Sequence, residues 1–496
     1  MVNKKFKRIA IANRGEVAVR IIKACEELGI ETVLLHSEVD VSTRAYRMAT
    51  KKICIGPAPT AESYLNIQAN VNGALAGGAE AVHPGFGFLS ENADFAEACE
   101  KAGLVFIGPS PKATRTLGDK VSCKELAKSL ELPLIPGYEG ENQSIDFLVQ
   151  QAEKIGFPVI VKAAAGGGGR GMKVLRNAPE ARELIESAQR EAQSAFGSPK
   201  VFLEKYLDRA KHIEFQIFGD ATGRVLHLMD RECSVQRRHQ KIIEEATSPS
   251  LTPDLRRRMG EAAVTIAKHA GYKGAGTVEF LLQDNEFYLL EVNTRLQVEH
   301  PVTEMVMGAD LVKAQILTAQ GDPVFPESQV LVPRGHSIEC RIYAENSYLG
   351  GVPSTGVLGK VEWPEGPGRR YEYGFEEGDE ITPFYDPMIA KVIVWDENRP
   401  RAIQKTKQVL MNSVVFGVHT NIPYLLEILS HPEFVQGTMT TRFIEKNFSE
   451  PLKMPELSVS EKEFAEKSLK ELTPKSLETT GLSNFLSPWQ TFWRGV

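Results

Sequence analysis

The segment GTVEFLLQDNEFYLLEVNTRLQVEHP, from Gly276 to Pro301, carries five polar side chains at two-residue spacing: Glu291, Asn293, Arg295, Gln297 and Glu299. Successive side chains of a strand alternate faces, so an extended conformation running through Glu299 would project all five to one side. The polar turn Asp284-Asn285-Glu286 lies midway between Glu279 and Glu291. A hairpin folded there sets the two carboxylates opposite each other. Facing carboxylates repel unless a cation lies between them, and the oxygens of Glu279, Glu291 and Asn293 suit a hard divalent ion, Mg²⁺ or Mn²⁺, whose shell phosphate groups can complete. The plainer alternative is a hairpin with a solvated outer face. Asn and Arg are mediocre strand formers, so their density here favours a metal-assisted site.

Other segments supply groups of the complementary sign. The apolar run FPVIVKAA leads directly into AGGGGRGMKV, where Gly166 to Gly169 are consecutive. Each glycine loses backbone entropy on ordering, which predicts a loop that stays mobile until a ligand binds. Bare N–H groups can cradle phosphate oxygens, and Lys162 just upstream adds a positive charge; a flexible linker is the other reading. The loop is neither a GxxxxGK[ST] nor a GxGxxG turn. Beyond it, KVFLEKYLDRAKHIEFQIFGD reads as two strands around a polar turn, carrying Glu204 and His212. RECSVQRRHQKIIEEA, from Arg231 to Ala246, crowds basic groups among glutamates. Such runs are usually solvated faces, but beside a predicted anionic ligand they read as its counter-charge. In HPGFGFLSEN, glycines bracket Phe86, as a tight turn or as an aromatic presented to a ligand.

The elements that position these groups follow from the apolar pattern. A short run RIAIA, a helical stretch VAVRIIKACEELG ending at Gly29, and a second run TVLLHS give strand, helix, strand, the order of a parallel doubly wound sheet. It recurs around Ala81–His83, ADFAEACEKAG and LVFIG, which places a first α/β domain at 1–115. Ligands of such sheets gather at the carboxyl ends of the strands, where HPGFGFLSEN emerges. A second α/β region follows from 116 to 332. From 333 to 446, short runs such as SIECRIYAE and MIAKVIVW with frequent Gly and Pro predict a β-rich domain. Residues 447–496 read as surface helices or a partly disordered tail.

Composition bounds the rest. A chain of 496 residues should hold more than one core; 42% hydrophobic and 25% charged residues with a formal charge of −6 argue against a nucleic-acid footprint. Six cysteines without paired metal-ligand spacing read as reduced thiols. The N-terminus has no apolar signal region, and no run is long enough to span a bilayer. The expectation is a cytoplasmic protein with neither nucleic-acid nor membrane partners.

Six segments in order, IANRGE, HPGFGFLSEN, KAAAGGGGRGM, RECSVQRRHQK, EVNTRLQVEHPVTE and GHSIECRI, resemble the biotin carboxylases of the ATP-grasp superfamily across residues 5 to 446. The resemblance implies an α/β fold with a Rossmann-like first domain, an ATP-grasp domain with a mobile glycine-rich lid over about 133–205, and a β-rich C-terminal domain. It implies that ATP, bicarbonate and biotin become ADP, phosphate and carboxybiotin. Nucleotide-contacting positions are then Lys120, Lys162, Gly167, Gly168, Glu204, Lys205, Leu207, His212, Gln236 and His239. Glu279, Glu291 and Asn293 match the ligands of Mg²⁺ or Mn²⁺. Lys241, Arg295, Gln297, Val298 and Glu299 match the bicarbonate site, with Glu299 as general base. Arg341 matches the position facing the ureido oxygen of biotin, and Phe86 lies near that ring. Ala165 stands where many relatives carry glycine, and Phe86 where many carry tyrosine; the first stiffens the lid and the second removes a hydroxyl.

The same resemblance implies partners. No Met-Lys-Met biotin-acceptor turn is present, so biotin is expected on a separate carrier protein, with a carboxyltransferase on another chain and a homodimer as the assembly. Parent enzymes of the acetyl-CoA carboxylase and two-subunit pyruvate carboxylase kinds both fit. The competing readings are a carbamoyl-phosphate synthetase-like ATP-grasp ligase and a nucleotide-binding subunit with a dead site.

Overall fold

The structure is a computed structural model that describes residues 5–163, 172–196, 198–238, 240–326, 332–454, 458–460, 462–463 and 467. The first layer is a five-stranded parallel sheet. Arg8–Ile11 lies at its centre between Glu31–Ser37 and Ala81–His83, with Lys51–Gly56 and Val105–Phe106 outermost. The apolar face of the helix Gly15–Glu27 packs Val17, Ile21 and Ile22 into the core below it. His83 ends its strand at the carboxyl edge, and HPGFGFLSEN leaves from there as expected for a doubly wound sheet.

The centre of the molecule is an eight-stranded sheet in which every neighbour is antiparallel. Its order is Glu286–Asn293, Gly274–Gln283, Lys211–Gly219, Val225–Arg237, Gln240–Ala246, His336–Tyr343, Met388–Asp396 and Arg369–Tyr373. Five strands precede residue 333 and three follow it. The sheet therefore joins the second region to the β-rich third without a break, at the pairing of Gln240–Ala246 with His336–Tyr343. Ile213, Phe215 and Ile217 alternate onto one face and pack under the helix Pro253–His269, leaving His212, Glu214 and Gln216 on the other.

A smaller four-stranded antiparallel sheet stands apart, in the order Gly137–Tyr138, Val201–Lys205, Val159–Ala163, Lys173–Leu175. The helices Ile145–Ile155 and Ala178–Phe196 cover one side through Leu148, Ile185 and their neighbours. Val159, Val161 and Ala163 point into that core, so Ile160 and Lys162 face the opposite way. The segment Phe443–Asn447 is helical, and Leu452 packs on the core of the third region. Gly166 to Gly169, and with them Gly167, Gly168, Ala165 and the loop reading, lie outside the described residues, as does His239. Among the described residues no helix is long and apolar enough to cross a membrane.

Candidate active site

The carboxylate hairpin forms, by a different route from the one its spacing predicts. Its turn is the two residues Asp284-Asn285, both at positive φ, and Glu286 already pairs with Gln283. A regular ladder from that turn would set Glu279 opposite Leu290, with Glu291 on the wrong face. The register instead shifts by one residue between Glu279 and Phe280, so Phe280 pairs with Leu289 and Glu279 with Glu291. Leu290 is the extra residue of this bulge. A shorter turn and a bulge together give the register that a three-residue turn alone would give.

The second difference lies downstream. The strand ends at Asn293 rather than continuing through Glu299, which occupies the N-cap of the helix His300–Met307. Pro301 in the first turn of that helix lacks an N–H for a sheet ladder and suits a helix start. Thr294 and Leu296 are buried between the polar residues, and Thr294 N–H donates to Glu91 Oε1 at 2.9 Å. The intervening side chains still converge: Arg295 donates to Asn293 Oδ1 at 3.1 Å and Gln297 Oε1 at 2.9 Å. Its Nε donates to Glu91 Oε2 at 2.8 Å.

Four neighbouring strands set Arg231, Glu214, Glu279 and Glu291 side by side in one row across the sheet. Glu214 and Arg231 are fully buried and paired with each other. Three carboxyl groups in the row meet one guanidinium, and Lys241 supplies the next positive charge. Its Nζ donates to Glu214, to Glu279 Oε1 at 2.8 Å and to Glu299 Oε1 at 2.6 Å. Burial alone would lower the Lys241 pKa, but Glu214, Glu279 and Glu299 outweigh it and hold the amine protonated. Glu299 shows the converse: burial would raise it, and Lys241, Arg341 and Arg231 hold it well below the carboxylate range. Arg341 donates from Nη2 to Glu299 Oε2 at 3.0 Å and from Nε to Glu244 Oε1 at 2.6 Å.

Glu291 is the exception in the row. Burial and the facing Glu279 raise its pKa, and no hydrogen bond or ion pair is made to it among the described residues. Glu279 is held down by Lys241 and His212 against its burial, with His212 Nε2 at 2.8 Å from Oε2. Two facing oxygen donors, one of them without a direct partner, fit a divalent cation. Asn293 turns its Nδ2 to Glu279 Oε1 at 2.9 Å and its Oδ1 to Arg295, so its carbonyl oxygen would join such a shell once the amide is reversed and the Arg295 contact released.

Beside this row opens a cleft of about 1300 Å³ between the small sheet and the large one. Lys120, Lys162, Met172, Phe202 and Glu204 line one part and Leu281, Leu289, Glu291 and Asn293 another. Glu204 ion-pairs with Lys162 and with Lys124, at 3.2 Å for the latter. Burial would raise its pKa, but the two lysines lower it. An apolar slot ending in lysines and facing carboxylates can take a planar group and a polyphosphate with its cation.

Three family models match the chain: the biotin carboxylase N-terminal domain over residues 5–114, the carbamoyl-phosphate synthase L chain ATP-binding domain over 119–325, and the biotin carboxylase C-terminal domain over 339–446. A biotin carboxylase of Nostoc sp. is 46% identical over 89% of this chain and 99% of its own length. The chain belongs to the biotin carboxylase family. The methylcrotonoyl-CoA carboxylase alpha subunit of Glycine max is 48% identical over 90% of the chain, which spans 61% of that protein's length. A solved biotin carboxylase domain of a thermophilic 2-oxoglutarate carboxylase bound to bicarbonate superposes with a TM-score of 0.85 at 42% identity, covering 89% of this chain and 98% of that one.

As a member of the biotin carboxylase family, the chain brings together Lys241, Glu279, Glu291, Asn293, Arg295, Gln297, Glu299 and Arg341 in one contiguous group. His212 joins it through Glu279, and Gln236 through His212, with Nε2 at 2.9 Å from Nδ1. Lys205 is turned elsewhere: its Nζ donates to Gly156 O and Phe157 O at 2.7 and 3.0 Å. Neither Lys205 nor Leu207 lines the cleft. Val298 contributes a backbone carbonyl to the neighbourhood, and Phe86 packs half-buried on the first core. Glu91, Glu214, Arg231 and Glu244 belong to the group although nothing in the sequence reading singled them out.

Proposed function

We propose that this protein uses ATP and bicarbonate to carboxylate biotin held on a separate carrier protein, releasing ADP and phosphate. The observation that carries the reading is the fixing of a buried, ionised Glu299 between Lys241 and Arg341, directly beside the Glu279/Glu291 pair and the open cleft. Biotin carboxylase models match on both sides of the ATP-binding segment, which favours this reading over a carbamoyl-phosphate synthetase-like ligase.

In this mechanism the cleft takes ATP, with Lys120 and Lys162 meeting its phosphates. A divalent cation at Glu279, Glu291 and Asn293 would neutralise charge on the transferring phosphoryl group. Arg295 and Lys241 hold bicarbonate as a small anion, and Glu299 accepts its proton as one oxygen attacks the γ-phosphorus. The β–γ bridging bond breaks, ADP leaves and carboxyphosphate forms. The bond from its carbon to the bridging oxygen then breaks, giving CO₂ and phosphate; phosphate takes the biotin N–H proton, the nitrogen attacks CO₂, and Glu299 releases the bicarbonate proton to solvent. Arg341, a rigid and permanently charged donor, stabilises the negative ureido oxygen. The carrier and a carboxyltransferase are the expected partners, and the chain is expected to work as a homodimer.

The test is ADP release with Mg²⁺ and ATP, with and without bicarbonate and free biotin. Bicarbonate-dependent release stimulated by biotin and lost in Arg341→Ala is the expected result; release indifferent to biotin would overturn the reading. A narrower prediction concerns the cleft. Lys162→Met should raise the KM for ATP about 10- to 100-fold, the weight of a charge-assisted phosphate contact, and leave thermal stability near wild type because Lys124 still pairs with Glu204.

A further inference from the structure

Behind Glu299 lies a buried cation that the proposed mechanism does not use. Lys391 sits on Met388–Asp396, directly opposite Arg341 on one neighbouring strand and Glu372 on the other. Its side chain has no exposed surface. Nζ donates to the carbonyl of Val298 at 2.8 Å and meets Glu372 Oε2 at 2.7 Å and Glu16 Oε1 at 3.2 Å. Its ammonium thus lies among one carbonyl and two carboxylates, and of these three residues only Val298 is a position matched to the bicarbonate site. The Phe86 ring centroid is 5.7 Å away.

Glu16 comes from the first domain, in the IANRGE motif. It reaches Lys391 because the third region approaches through Gly374: a Cβ there would stand 2.7 Å from the backbone of Gly15 and Glu16. Asn13 of the same motif donates Nδ2 to the carbonyls of Pro84 and Phe86, both at 2.7 Å. Gly85, at positive φ, leaves room for that amide, which a Cβ would meet at 2.9 Å. One short motif thus holds both Lys391 and the loop of Phe86.

A buried ammonium between carboxylates is no more stabilising than a well-packed apolar side chain, so its presence calls for a positional reason. Glu299 follows Val298 directly, outside the strand, with no ladder to fix its peptide. We infer that Lys391, held by Glu16 and Glu372, is a positioning residue: it pins the Val298 carbonyl so that the Glu299 carboxylate stays on Lys241 and Arg341. The inference deepens the proposed bicarbonate site and rests on that reading.

The test compares full-length wild type, Lys391→Arg, Lys391→Met and the double variant Glu16→Gln/Lys391→Met. ADP release is measured with ATP and bicarbonate varied separately, beside thermal unfolding. Lys391→Met should lower kcat and raise the bicarbonate KM, each about tenfold, with the ATP KM within about twofold, as expected for loss of one charged contact. Lys391→Arg should recover most of the loss. The double variant removes one uncompensated carboxylate, and should unfold near the wild-type temperature while keeping the bicarbonate defect. Wild-type bicarbonate kinetics in a folded double variant, ATP and bicarbonate constants moving together, or a double variant that does not fold would each overturn the inference. A wild type without bicarbonate-dependent release would instead overturn the function on which it rests.

Discussion

Glu299→Gln should reduce bicarbonate-dependent ADP release by at least about 100-fold, the lower end of what a positioned general base contributes. The carboxylate is fully buried, and both oxygens accept from cations, Oε1 from Lys241 and Oε2 from Arg341. Those cations, with Arg231, keep it ionised despite its burial. A glutamine has nearly the same shape, yet cannot take a proton from bicarbonate and would turn an NH₂ group toward one of the two cations. ATP should still bind, because the cleft is lined by other residues. The check is steady-state ADP release beside the ATP dissociation constant. A rate within about threefold of wild type, a change of less than ~1 kcal/mol in the barrier, would remove Glu299 from the mechanism.

Lys241→Met should act on both stability and turnover. Its ammonium answers three carboxylates at once, Glu214, Glu279 and Glu299. Breaking a buried ion pair from one side leaves an uncompensated charge and destabilises by about 3–5 kcal/mol. The expected results are a clear drop in unfolding temperature, turnover near background, and partial recovery of stability by Mg²⁺, because a divalent ion beside Glu279 restores some positive charge. Thermal unfolding with and without Mg²⁺ reads all of this except turnover. An unchanged unfolding temperature would mean that the carboxylates take up protons without strain and that the cluster is not an ionised network.

The polar alternation of Glu291 to Glu299 made the site legible, but only half of its geometry. Facing of Glu279 and Glu291 was readable because a hairpin about a polar turn has few registers; the bulge at Leu290 was not, since a leucine in an apolar strand carries no mark of it. The stop at Asn293 had a signal in Pro301, which favours a helix start over a ladder. Glu214 was also within reach: KHIEFQIFG alternates, and that alternation places Glu214 on the same face as His212. Glu91 had none, because its partner Arg295 is distant in sequence and meets it only in the folded chain; Arg231 lay in a segment read as counter-charge, but its pairing with Glu214 depends on the register of two neighbouring strands. The parallel sheet of the first domain followed the apolar runs closely, where both faces are covered and the pattern has little freedom.

The pairing of Gln240–Ala246 with His336–Tyr343 also bears on how the chain is made. A nascent chain presents the first strand long before the second emerges, with the helix Pro253–His269, the carboxylate hairpin and two further helices still to be synthesised between them. Until then Gln240–Ala246 is an open edge, a row of N–H and C=O groups able to recruit any passing strand. Arg341, which completes the Glu299 pocket, arrives on the strand that closes this edge. Fragments that stop short of His336 should therefore self-associate rather than fold as an ATP-binding unit. The polypeptide that escapes aggregation is the one that has also assembled its active site.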